Sequence, residues 1–229
     1  MEKEEPNSPA RIAIDGPVAC GKSAVGMLVA RRLGFRFLDT GMMYRAFTWL
    51  VLERGIDPED EKSVTDLARD VKMEVSATLP ESDESSRVIV GGQDATDFLV
   101  RPDVENAVSL VSRLPEVREA MVRVQREIAN GGEIVVAGRD IGTVVMPDAE
   151  LKVYLDASRL ERARRRYEQA RLRGQSITLK SVLDELERRD GIDSARETSP
   201  LRPAEDAEIL PTDGLNPDQV VERILALAR

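Results

Sequence analysis

The chain has 229 residues, 41% hydrophobic and 33% charged, with a formal net charge of −9, one cysteine and no histidine. This is the balance of a globular domain with room for insertions. It rules out a histidine base, a histidine metal ligand and an internal disulfide, and it argues against nucleic acid as partner.

Residues 1–10, MEKEEPNSPA, are acidic and lack the apolar core of a signal peptide, so a disordered tail is expected there and one folded domain over 11–229. No apolar run approaches the roughly 20 residues of a membrane span. A lone cysteine suits a reducing compartment, and a cytoplasmic location is expected.

The folded part opens with RIAIDGPVACGKSAVG. RIAID reads as a strand, and SAVGMLVARRL as a helix with Val25, Leu28, Val29 and Leu33 on one face. Between them Gly16 is followed by four residues and then Gly21, Lys22 and Ser23. That spacing in a strand–loop–helix context marks a phosphate-binding loop. Its backbone N–H groups converge at a helix N-terminus, where the dipole is positive. Gly16, Pro17, Val18, Ala19, Cys20, Gly21, Lys22, Ser23 and Ala24 are therefore expected to wrap ATP phosphates. Lys22 would reach the β- and γ-phosphates, and the Ser23 hydroxyl would take Mg²⁺. Cys20 either faces the phosphates as a reactive thiol or points inward and is inert.

FRFLD is expected as a second strand, and MMYRAFTWLVLERG as a helix closed by Gly55. Asp39, Thr40, Tyr44 and Arg45 then fall just past a strand end, where α/β sheets bind ligands. From about 71 to 100 the pattern changes. VKMEVSA, RVIV and QDATDFL read as short strands separated by polar turns, PESDESS among them, and so as a small antiparallel insertion. PEVREAMVRVQREIAN is an amphipathic helix, and EIVVAG and LKVYLD are buried strands. Arg139 and Asp140 follow the first of these in a glycine-flanked turn.

SRLERARRRYEQARLRG, about 158–174, holds seven arginines and starts with a capping box of Ser158 and Glu161. A second helix carries Leu179, Val182, Leu183 and Leu186, AEIL is a last strand, and Asn216 caps a C-terminal helix. Strands alternating with helices imply a parallel sheet covered on both faces.

A phosphate loop alone leaves several classes open. The Asp-x-x-Gly and Asn-Lys-x-Asp of a GTP switch are absent, and no strand ends in the adjacent Asp-Glu of a motor ATPase. A small-molecule kinase remains. Transfer to an alcohol usually calls for a base, whereas a phosphate monoester, with a second pKa of about 6, is already mostly ionised at neutral pH. Such an acceptor needs fixed cations instead. A histidine-free chain with clustered arginines meets that demand.

The stretches IDGPVACGKS, FLDTGMMYR, GRDIGTVVMPDAELKVYLDAS and RRDGIDSAR closely resemble bacterial cytidylate kinases, over about residues 11–228. The resemblance implies a P-loop α/β kinase with a parallel sheet core, a monophosphate-binding insertion near 71–110 and an Arg-rich helical lid near 158–174. It implies phosphoryl transfer from ATP, with Mg²⁺, to CMP or dCMP. Ser109, Arg118 and Asp140 would read the cytosine, with Thr40 and Tyr44 beside the acceptor. Arg45 and Arg139 would grip its phosphate, Arg189 and Asp193 would hold the sugar, and Arg196 would sit near phosphate and base. Lys22, Arg139, Arg196 and Arg162 would be catalytic, and Arg165 would contact ATP. A monomer acting on small molecules, with no membrane or nucleic-acid partner, is implied. The chain departs from the family pattern at Cys20, where Gly, Ala or Ser is usual, and at Ala137, where an acidic residue is common. A kinase with a broader UMP/CMP range, and a nucleotide-binding regulator without turnover, are the alternatives.

Overall fold

A computed structural model describes residues 10–77 and 86–228. The expected tail, Ala10 aside, and all of the PESDESS turn but Ser86 lie outside the described residues.

The β-branched runs pair as one parallel five-stranded sheet. Its strands are β1 (Arg11–Asp15), β2 (Arg36–Asp39), β6 (Ile134–Ala137), β7 (Leu151–Asp156) and β8 (Glu208–Pro211), in spatial order β2-β6-β1-β7-β8. The central strand sets Ile14 opposite Ala137 on one side and Val153 on the other. Side chains alternate across a strand, so each face collects every second residue. Ile12, Ile14, Val135 and Ala137 pack under α1 (Lys22–Leu33) and α8 (Pro217–Leu227). Ala13, Ile134 and Val136 face the opposite layer of α2 (Thr40–Glu53), α4 (Pro102–Val111) and α5 (Pro115–Ala129). The near-continuous apolar strands are those of a sheet buried on both sides.

The small antiparallel sheet joins β3 (Met73–Val75), β4 (Val88–Val90) and β5 (Gln93–Asp94). The QDATDFL segment differs from the strand expected of it: it pairs only at Gln93–Asp94 and then turns through a 3₁₀ segment, Thr96–Phe98. The cause is local. Asp94 accepts from the Thr96 N–H at 3.0 Å and from its hydroxyl at 2.6 Å, an alternative to ladder bonds that bends the chain. Phe98 then stacks on Trp49 with ring centroids 5.2 Å apart, which ties the sheet to α2. Of the insertion that the resemblance implies near 71–110, residues 102–110 are helical, being all of α4 but its last residue. Helix α3 (Glu61–Asp70) lies against α5.

The arginine-rich segment is α6 (Arg159–Leu172), and it packs on α7 (Leu179–Ser194) through Ala163, Val182 and Leu186. Only half of its expected capping box forms. The Ser158 hydroxyl accepts from the Glu161 N–H at 3.3 Å, but the Ser158 N–H goes to Asp213 at 2.8 Å and the Glu161 carboxylate to Arg165. The full boxes are Thr178–Ser181 on α7 and Asn216–Gln219 on α8. No helix among the described residues is long and apolar enough to cross a membrane.

The sheet requires close approach of α1. A Cβ on Gly26 would lie 2.6 Å from Cε2 of buried Phe37. Alanine raises helix propensity by up to about 1 kcal/mol, while overpacking a fixed core costs about 1–3 kcal/mol. Since Phe37 has no room to retreat, the clash wins. Gly26→Ala is expected to lower stability by about 1–2 kcal/mol in urea unfolding; a variant as stable as the parent would contradict the packing.

Candidate active site

The carboxyl ends of β1, β2 and β6 open into a cleft of about 520 Å³. It brings together residues from the glycine loop, α2, α4, α5, the β6 exit, α6 and α7.

The loop sits where β1 runs into α1. Gly16 has φ 150°, and a Cβ there would lie 2.4 Å from the Leu155 carbonyl oxygen, so the chain passes too close to β7 for a side chain. Val18, Ala19, Gly21, Lys22, Ser23 and Ala24 line the cleft. Gly16, Pro17 and Cys20 lie behind them. Pro17 offers its carbonyl oxygen to the Lys22 ammonium at 2.6 Å. Burial lowers the Lys22 pKa; Cys20 and Asp39 oppose that shift, and Arg139 adds to it. Of the two orientations open to Cys20, the structure shows the inward one: the thiol is 1% exposed and packs in the core beneath the loop. The Ser23 hydroxyl donates to Asp39 Oδ2 at 2.7 Å. Asp39 also caps α2 by accepting from the Gly41 N–H at 2.9 Å.

The β6 exit carries Gly138, Arg139 and Asp140. A Cβ on Gly138 would meet Ile141 Cδ1 at 2.5 Å and Thr40 Oγ1 at 2.6 Å. The Thr40 hydroxyl, meanwhile, donates to the Ala137 carbonyl at 2.9 Å. Asp140 pairs with Arg118 of α5 at 2.5 Å, with both side chains 4% exposed. Arg118 also donates to the Ser112 carbonyl at 3.2 Å and lies over the Tyr44 ring, 5.2 Å from its centroid. Burial pushes the Tyr44 phenol up to about 12. Ser109 is buried on α4 and lines the same wall.

One carboxylate organises the opposite wall. Asp193 of α7 accepts from Arg139 through one oxygen and from Arg196 through the other. Burial favours its neutral form, but Arg139, Arg196 and Arg189 outweigh burial and hold its pKa below the ordinary carboxylate value. Arg196 also reaches the Ser112 hydroxyl at 3.2 Å. Arg45, Arg118, Arg189 and Arg196 each keep a buried Nε with no protein acceptor. A buried donor without a partner is costly. All four side chains line the one cleft, and guanidinium groups suit anionic oxygens.

Two of the expected lid arginines are already engaged. Arg165 lines the cleft but donates to the Cys20 carbonyl at 3.1 Å and the Thr212 carbonyl at 2.6 Å. Arg162 does not line it. Its guanidinium grips Asp190 at 3.1 and 2.6 Å and also donates to the carbonyls of Ala157 and Val18. It thus clamps the glycine loop between α6 and α7. Other residues line the cleft without having been singled out in the sequence, Glu105, Ser112, Arg166, Gln169 and Arg173 among them. Arg166 of α6 pairs with Glu105 of α4 across the mouth. A carboxylate sixty-one residues away gives a sequence pattern no hint of such a pair.

A glycine loop at the carboxyl end of the central strand of a parallel sheet, facing an arginine-lined cleft, defines a P-loop phosphotransferase. The family model for cytidylate kinase matches residues 12–229, and the chain belongs to that family. It is 44% identical to the cytidylate kinase of Caldanaerobacter subterraneus subsp. tengcongensis over 97% of this chain and 96% of that one. It is 48% identical to that of Geobacillus kaustophilus over 94% of this chain and 95% of the other. Among solved structures it resembles an uncharacterized protein from Eubacterium ventriosum, with a TM-score of 0.51 at 13% identity, covering 96% of this chain and 98% of that one. That likeness concerns the fold.

Asp193 carries a pH signature. Its folded pKa lies below its unfolded one, so its contribution to stability is fully present above the unfolded value of about 3.9 and is lost as pH falls through the lower folded value. Asp193→Asn is expected to cost about 3–5 kcal/mol at neutral pH, because buried guanidinium groups lose their counter-ion. The difference from the parent in urea unfolding should hold steady from pH 7 to 5 and shrink below pH 4. A difference that did not change with pH would remove the ionised carboxylate from the account.

Proposed function

We propose that the chain transfers the γ-phosphoryl group of ATP to CMP or dCMP, giving ADP and CDP or dCDP. One observation carries the reading: the glycine loop, the buried Arg118–Asp140 pair and the guanidinium groups of Arg45, Arg139, Arg189 and Arg196 share a single cleft. The loop with Lys22 receives the ATP phosphates. Asp140 accepts from the cytosine amino group, and Arg118, with Ser109 beside it, donates to the ring acceptors, which is the polarity cytosine presents. Thr40 holds the turn that carries these groups, and Tyr44 supports Arg118. Arg45 and Arg139 take the acceptor phosphate. Arg189 and Asp193 hold the sugar, and Arg196 stands near phosphate and base.

No general base is needed, because the acceptor oxygen is already mostly ionised at neutral pH. What the residues supply is orientation of two polyanions and fixed positive charge on the transferring group. Mg²⁺ fits the site as a hard cation bound through nucleotide phosphates: Ser23 and Asp39 offer a hydroxyl and a carboxylate oxygen at the head of α1. When bound it would neutralise charge between the β- and γ-phosphates. Among the described residues no group of three or more acidic or cysteine side chains forms a metal site by itself, which suits a metal carried in with ATP. Arg162 serves by fixing the loop rather than by touching phosphate, and Arg165 borders the donor from α6. Every residue invoked comes from one chain, so a monomer suffices, and we place it in the cytoplasm.

Coupled ADP release with ATP and a panel of CMP, dCMP, UMP, AMP and GMP tests the reading. CMP or dCMP should lead; turnover of none of them would overturn it. Asp140→Ala should lower kcat/KM for CMP roughly ten- to a hundredfold and narrow its lead over UMP, since uracil presents an acceptor where cytosine presents an amine. An unchanged CMP/UMP ratio would remove Asp140 from base reading.

A further inference from the structure

The side chains of the turn bearing Arg139 and Asp140 pair outward, with Asp193 and Arg118. Its near end is pinned by Thr40 on the Ala137 carbonyl and by the Gly138 N–H, which donates to the Ile14 carbonyl at 3.0 Å. Its far end enters a single π-helical turn, Ile141–Val145, in which Val145 and Met146 donate five residues back to Asp140 and Ile141. The first N–H groups of any helical turn lack an internal partner. Here two of them point at Asp15. Its Oδ1 accepts from the Ile141 N–H at 2.8 Å and its Oδ2 from the Gly142 N–H at 2.7 Å.

We propose that Asp15 is a positioning residue for the acceptor, its carboxylate capping the turn at Ile141 and Gly142 and so fixing Arg139 and Asp140 in the cleft. Its own place in the chain gives this consequence. Asp15 is the last residue of the central strand, and the next residue, Gly16, begins the phosphate loop. One carboxylate therefore ties the start of the donor loop to the turn that reads the acceptor. The fit is close: a Cβ on Gly142 would lie 3.4 Å from Asp15 Oδ2 and 3.2 Å from the Lys152 side chain. Burial pushes the Asp15 carboxyl up to about 7 and Asp140 adds to the rise, while the two main-chain bonds and Lys22 oppose it. A buried acid kept in place against such a penalty is held by its hydrogen bonds. The inference rests on the CMP reading above.

Asp15→Asn is nearly isosteric but turns an amide N–H toward one of the two backbone N–H groups. KM for CMP is expected to rise about tenfold and the CMP/UMP ratio of kcat/KM to fall about as much, while KM for ATP stays within about twofold. Loss of stability alone would lower the active fraction, and with it kcat, and leave the ratio and both KM values in place; that result would overturn the proposal. Turnover of CMP by the parent enzyme is the separate test of the reading on which it rests. A second measurement needs no variant: hydrogen exchange of the parent enzyme free of ligand. The amides of Ile141 and Gly142 should exchange as slowly as those of β6, and exchange as fast as that of Ser176, exposed between α6 and α7, would overturn the capping.

Discussion

The site depends on holding like charges together. Eight arginines and a lysine line one cleft, where they would repel one another were no counter-charge built in. Asp193 answers two of them directly and lowers the field on a third, and Asp140 answers Arg118. The carboxylates do not neutralise the arginines completely, since several Nε donors remain unmatched. The cleft is thus assembled by internal ion pairs and keeps an excess of positive charge. Breaking one buried partner is destabilising because the remaining charge stays buried.

Around that constraint the scaffold supplies rigidity in layers. The central strand is buried on both faces and ends at the glycine loop, so the loop is rooted in the core. The acceptor side is built from pieces distant in sequence, α4, α5, the β6 exit and the end of α7, packed over the helical layer. Helix α6 bridges the two, through Arg162 to the loop and through Arg166 to Glu105 of α4.

Much of this was legible in the sequence because local rules govern it. The strand–loop–helix at the start, the apolar runs of β6 and β7, and the amphipathic helices each follow from patterns within fifteen residues. The family resemblance pointed to the acceptor residues, and the structure brings those residues into one cleft. Long-range partnership was not legible. Arg162 reads as one arginine among seven, and only the fold shows that Asp190 and the Val18 carbonyl occupy it. Asp15 reads as the end of a strand, because the N–H groups it serves lie 126 and 127 residues away. The second half of the Ser158 capping box was lost to Asp213, which the chain brings back from 55 residues on. The QDATDFL strand failed for the opposite reason, a competition between neighbours that Asp94 decides.

Helix α7 carries Asp190 and Asp193 one turn apart, the first holding the clamp on the donor loop and the second the arginines of the acceptor cleft. The Arg118–Asp140 pair proposed to read the base lies elsewhere, on α5 and the β6 exit. On the proposed reading the α7 carboxylates form one set and the base-reading pair Arg118–Asp140 a second, with Asp140 next to the phosphate-gripping Arg139 on the β6 exit. Mutational routes toward another pyrimidine can run through the second set while the helix serving both substrates stays as it is, whereas a change on α7 touches both nucleotides at once.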